Sequence, residues 1–192
     1  MKRTTVTIVA AVAMLAALSG SAKAALLTFN LKEVGSNVVG TVSGTLNTNA
    51  LTQSGTSTNT GGLYPSSGGM IVGPEQWQYG WAGLVRTASS FGTTNWLPAN
   101  TMTGDTVGIT LGGTKVYVSP SYVSGNALSG GATWLGNSFA TLGITKGTYT
   151  MTYNGGTDSV VLQVEAVPEP ATMTLLVLGG IATLIRRRRN RR

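Results

Sequence analysis

The sequence predicts an all-β protein, an antiparallel β-sandwich or jelly-roll-like domain with one apolar helix at each end. Three observations carry this. Apolar and polar residues alternate with period two through several runs of the interior. Residues 25–167 hold 24 of the 27 glycines, many of them between those runs. The same stretch has no apolar stripe at helical spacing of useful length. Many short strands joined by Gly-rich turns fold as two packed sheets.

The strands follow in order. Leu27-Thr28-Phe29-Asn30-Leu31-Lys32 alternates as a half-buried strand, and Gly35-Ser36-Asn37 reads as a turn. From Val38 to Leu46, Val38, Val42 and Leu46 share one face with Gly40 and Gly44, which completes a hairpin. Less regular strands are expected over Trp77–Val85, Thr106–Leu111, Thr114–Val118 and Ala127–Trp134. A short helical turn fits Ser138 to Leu142. Near the end, Tyr149, Met151 and Tyr153 alternate with Thr150 and Thr152. Asn154-Gly155-Gly156-Thr157 then turns the chain into a strand from Ser159 to Val164. Gln53–Gly69 and Thr87–Gly104, rich in Ser, Thr, Gly and Asn, read as long loops.

The two ends carry addresses. Lys2 and Arg3 precede an apolar run from Val6 to Leu18, and Ala22-Lys23-Ala24 satisfies the small-x-small rule of signal peptidase. Residues 1–24 are therefore expected to form a cleaved signal helix, with Ala25 the first mature residue. With no cysteine in the chain, a lipid anchor of the lipobox type is excluded, and no disulfide can staple the domain. At the other end Ala171 to Ile185 holds 15 residues without a charge. As a helix this is about 22 Å long, short for a hydrocarbon core of about 30 Å. The tail that follows can lengthen it by snorkelling. That tail holds Arg186, Arg187, Arg188, Arg189, Arg191 and Arg192, and it is expected to stay in the cytoplasm as a stop-transfer signal. Just ahead, Pro168 and Pro170 flank Glu169 and hold the chain extended, so an enzyme can read it without melting it.

Val167-Pro168-Glu169-Pro170, the apolar run and the basic tail together resemble the PEP-CTERM sorting domain, over roughly the last 26 residues. The resemblance implies processing near the motif by an exosortase, a multi-pass membrane cysteine transpeptidase. It also implies a Gram-negative host that makes exopolysaccharide and biofilm. The chain then divides into a signal peptide (1–24), an extracytoplasmic β-domain (25–166) and a sorting signal. The sorting signal comprises the motif at 167–170, a single transmembrane helix at 171–185 and the basic tail at 186–192. A softer resemblance links Phe29–Leu51, Val118–Gly125 and Phe139–Tyr149 to a recurrent extracellular domain of PEP-CTERM proteins, one that implies location and fold rather than chemistry.

Charge and composition narrow what the β-domain does. The formal net charge of the chain is +7, but nine of its 13 basic residues lie in the two ends. Between Ala25 and Val167 four basic residues face five acidic ones, a net of −1. A phosphate-neutralising patch is missing, so nucleic acid is excluded as a partner. With no histidine or cysteine, the Ser-His-Asp and Cys-His triads and His-ligated zinc are excluded. Five scattered carboxylates form no close pair, and the loops around Asp105 and Asp158 carry no calcium-binding pattern. No catalytic residue, metal or cofactor is therefore expected. Trp77, Tyr79 and Trp81 share one face of a strand. Exposed, they could stack on sugar rings, with Gln78, Asn95 and Asn100 nearby in sequence for hydroxyl groups. Placement in the core is the favoured expectation, because large aromatics dominate burial. Arg86 is expected either to pair with Glu75 or to stay free.

The expectation for the whole is an exported, exosortase-sorted protein of the cell envelope or extracellular matrix. Its precursor is anchored in the inner membrane, and its mature form is at the cell surface or outside the cell. Its β-domain is non-catalytic and associates with exopolysaccharide or biofilm, while signal peptidase and exosortase process its ends. The alternative is an enzyme that acts on envelope polysaccharide with paired carboxylates.

Overall fold

Fourteen strands arise from the alternating runs: β1 (Leu26–Val34), β2 (Asn37–Thr45), β3 (Thr52–Asn59), β4 (Gly62–Tyr64), β5 (Gly69–Val72), β6 (Gln76–Ala82), β7 (Val85–Arg86), β8 (Leu97–Pro98), β9 (Thr101–Gly104), β10 (Val107–Thr110), β11 (Lys115–Val118), β12 (Ala127–Trp134), β13 (Gly147–Tyr153) and β14 (Asp158–Ala166). The computed structural model describes residues 24–166. The expected signal helix with Ala22, the box from Val167 to Pro170, the apolar run and the arginine tail lie outside the described residues. Among the described residues no helix is long and apolar enough to cross a membrane.

The strands form two seven-stranded sheets. The first runs β7-β13-β14-β1-β2-β12-β9, and the second β3-β6-β11-β10-β5-β4-β8. The all-β sandwich architecture is as the alternation predicts, and the β1–β2 and β13–β14 hairpins form in the predicted places. The helical turn at Ser138 is also present, with Leu142 N–H donating to Ser138 O at 3.0 Å.

The sheets close on one core. From the first come Leu27, Phe29, Leu31, Val38, Val42, Trp134, Met151 and Leu162, and from the second Leu63, Met70, Val72, Ile109, Val116 and Val118. Gly40 sets the distance between them at the centre. A Cβ there would lie 2.6 Å from Met70 Cε and 3.1 Å from the Trp134 ring, so the missing side chain makes room for both. Trp134 is fully buried, and its indole N–H donates to Leu97 O at 3.2 Å.

Four expectations are corrected. The pairing is not wholly antiparallel, because β1 and β14 run parallel from Leu26↔Ser159 to Glu33↔Ala166. This pair brings the first and last described strands together, and no hairpin could join them. Second, Gln53–Gly69 is not a loop, since it holds most of β3 and all of β4. β3 is an edge strand, exposed along most of its length, so selection for apolar alternation is absent and its Thr and Ser residues look like loop. Third, Thr87–Gly104 is loop only as far as Trp96 and then forms β8 and β9. Fourth, Trp77–Val85 is not one strand. It breaks at Gly83-Leu84, and β7 crosses to pair with β13 in the first sheet.

Trp134→Ala is expected to cost about 3–5 kcal/mol, since it empties the centre of the core and removes the hydrogen bond to the Leu97 carbonyl. Urea unfolding of the variant beside the parent checks this.

Candidate functional site

The stripe on β6 is graded along its length. Tyr79 lies opposite Val118 and Trp81 opposite Val116, and both valines are buried. Residues directly opposite share a face, so the three rings point toward the first sheet. Trp81 packs against the core, and its Nε1 is buried with no partner. Tyr79 is half-buried, and Trp77, beside exposed Thr58, is 52% exposed. The core expectation thus holds in part for Trp81 and is corrected at Trp77, where the stripe runs out past the core.

The polar residues expected beside the stripe are elsewhere. Gln78 is fully buried, accepts from Asn59 Nδ2 at 2.8 Å and donates to Thr106 O at 2.6 Å. Asn95 accepts from Ser66 Oγ, and Asn100 from the Leu135 N–H. Arg86 neither pairs with Glu75 nor stays free. Its guanidinium donates to the carbonyls of Leu111 and Gly112.

A second aromatic surface was not legible in the sequence. Tyr64 ends β4 and Trp96 precedes β8, the strand that pairs with β4. Their ring centroids lie 5.2 Å apart at 37°. Trp96 lies flat on the backbone of β4, where a Cβ on Gly62 would sit 2.1 Å from its ring. Both rings remain about two-fifths exposed. They wall two adjoining hollows, of about 230 and 380 Å³, that share Ile71 and Thr110 as lining. Tyr117 and Asn59 extend the second hollow. Tyr117 alternates with the core residues Val116 and Val118, so this groove lies on the outer face of the second sheet. The signal that could have found it is Gly62 followed by Leu63-Tyr64. A glycine in a strand marks close approach from outside, but it does not say by what.

The five carboxylates are dispersed. Glu165 pairs with Lys32 at 4.0 Å, Glu33 accepts from Phe139 N–H and Asp105 from Ser129 N–H, and Glu75 is exposed. Asp158 alone is buried. Its Oδ1 accepts from Ala25 N–H at 2.8 Å, and its Oδ2 from Asn47 Nδ2 at 3.0 Å and Asn154 Nδ2 at 2.8 Å. Burial pushes its carboxyl up, but these three donors outweigh burial and hold it below the ordinary 3.8. Burial pushes the nearby Tyr153 phenol up to about 12, with Asp158 adding to the rise and the Asn47 amide opposing it. Among the described residues no three acidic side chains converge on a metal site. Of the cleavage residues, Ala24 is exposed and Ala25 buried.

These shifts set both limbs of a stability profile. Asp158 is depressed in the fold, so its contribution is present above pH 3.8 and lost as pH falls below it. Tyr153 is raised, so its contribution is present below pH 10 and lost as pH rises toward 12. Urea midpoints measured against pH are expected to fall on both sides, and Tyr153→Phe to shrink the alkaline limb.

Comparison with known families places the PEP-CTERM protein-sorting motif at residues 166–189. No curated protein and no solved structure matches the chain. The motif begins at Ala166, the last described residue of β14. The chain thus carries a PEP-CTERM sorting signal, the mark of an exported protein that exosortase processes.

Proposed function

We propose that the β-domain is a non-catalytic module that exosortase sorting delivers to the cell surface or the surrounding matrix, where it contacts exopolysaccharide. The observation that carries this reading is the Tyr64–Trp96 pair, two part-exposed rings in an open groove, with the Trp96 ring packed over Gly62. Tilted rings offer apolar faces to the C–H faces of sugars, which is the contact this groove supplies. A net charge of −1 in the domain suits an uncharged or weakly charged polysaccharide. Trp77, at the open end of the β6 stripe, is an accessory contact.

A non-catalytic role is supported by how the carboxylates are engaged. Asp158 is sealed by three hydrogen-bond donors, and Glu33, Asp105 and Glu165 each hold a structural partner. A glycosidase needs two carboxyl groups facing one cleft about 5–10 Å apart. The aromatic groove has none among its lining residues. In the precursor, residues 171–185 serve as the membrane anchor and the six arginines keep the tail in the cytoplasm.

Two experiments test the proposal. Glu169→Ala removes the only charge in the sorting box and is expected to leave an uncut, membrane-bound precursor in a host that carries exosortase. Mass analysis of the C-terminus reads the outcome, and normal processing of the variant would refute the role of the box. Trp96→Ala is expected to weaken retention on the host's exopolysaccharide by about 1–3 kcal/mol, the scale of one aromatic stacking contact. Its melting temperature is expected to fall modestly, since the ring also covers Gly62, so retention is compared at a temperature where both proteins are folded. Unchanged retention in this variant rules out the groove.

A further inference from the structure

We infer that the cut expected between Ala24 and Ala25 does more than release the domain: the α-amine it creates pairs with buried Asp158 and completes an ion pair at the head of the first sheet. This inference rests on the reading of Ala22-Lys23-Ala24 as the signal peptidase site.

Asp158 is 2% exposed and holds three N–H donors, all neutral: one backbone amide and two asparagine side chains. Among the described residues Lys32–Glu165 is the only ion pair of side chains, so no described cation serves Asp158. The phenols of Tyr153 and Tyr122 face the same region and are neutral in the ordinary pH range, both raised chiefly by burial. A buried carboxylate without a cation is costly, and opposite charge at hydrogen-bond distance offsets that cost.

The missing cation is one hydrolysis away. Water breaks the Ala24–Ala25 amide bond, its oxygen goes to the Ala24 carbonyl carbon as a carboxylate, and the Ala25 nitrogen gains protons to become an ammonium. That nitrogen already lies 2.8 Å from Asp158 Oδ1. Ala25 O is fixed from the other side by Ser159 N–H at 3.0 Å, so the new terminus needs no rearrangement. The neutral contact becomes a charge-assisted one. The boundary of burial also falls on the scissile bond, with Ala24 exposed and Ala25 only 6% exposed. A cut one residue earlier would leave the amine in solvent. The cut thus turns one of the three neutral contacts that already hold Asp158 into a charge-assisted one.

The test uses the exported protein purified with its C-terminal segment intact, in detergent. N-terminal sequencing is paired with the rate of labelling by pyridine carboxaldehyde, which reacts at α-amines. The expected result is a sequence beginning at Ala25 and labelling about tenfold or more slower in the native than in the urea-unfolded protein. Asp158→Asn is expected to restore fast labelling. A second variant, with one glycine inserted between Ala24 and Ala25, keeps Asp158 and displaces the amine. It is expected to label at the unfolded rate and to melt roughly 3–6 °C lower. A sequence beginning at Ala25 with full-rate native labelling overturns the pairing and leaves the cleavage reading intact. A different N-terminus overturns both. Slow labelling of the insertion variant also overturns the pairing.

Discussion

Ala25 meets Asp158 across 133 positions of chain, and from that contact β1 and β14 run side by side to Glu33↔Ala166. Bringing two strands together over such a separation costs loop-closure entropy before any contact repays it. With no cysteine available, nothing covalent lowers that cost. The pair sits at the centre of the first sheet, with β2 and β12 on one side and β13 on the other. Neither hairpin can bury both its flanks until the other has arrived. Formation of the sheet, and of the core face made by Leu27, Phe29, Leu31, Val160 and Leu162, therefore waits on one long-range event.

Side-chain hydrogen bonds do much of the tying that disulfides or ion pairs do elsewhere. The Tyr122 hydroxyl accepts from Leu46 N–H at 3.0 Å and donates to Asn126 O at 2.8 Å. Ser124 Oγ accepts from Thr48 N–H, and the Tyr153 hydroxyl accepts from Asn47 N–H. Three separate segments thus meet around residues 46–48, where β2 hands the chain from the first sheet to the second. Each such bond contributes little net stability, yet each would be expensive to leave unmade in a part-buried site. This explains a domain rich in Ser, Thr, Asn and Tyr that still packs a dry core.

What could be read from the sequence was what depends on neighbours in sequence. The β1–β2 and β13–β14 hairpins, the strand at Ala127–Trp134 and the turn at Ser138 were legible, because alternation and turn residues are local signals. The C-terminal sorting signal was legible for the same reason. The parallel pair was not, since no local pattern distinguishes a strand that pairs with its neighbour from one that pairs across the whole chain. β3 was hidden because an exposed edge needs no apolar residues. At the candidate site, Trp77, Tyr79 and Trp81 could be placed on one face, but how far the core reaches under that face is set by the opposite sheet. Tyr64 and Trp96 come together only because β4 and β8 pair, and Ala25 reaches Asp158 only through the β1–β14 register.

The direction of that register has a mechanical consequence. The described chain enters at the head of β1 and leaves at the foot of β14, the length of one nine-residue strand away, because the two strands lie side by side. Tension applied between those two points pulls β1 and β14 past each other along their axes. The eight paired positions from Leu26↔Ser159 to Glu33↔Ala166 then share the load together. In a hairpin pulled open at its ends, by contrast, the bonds break in succession. Force between the two ends of the described chain is thus borne in shear by a whole parallel ladder rather than by one bond at a time.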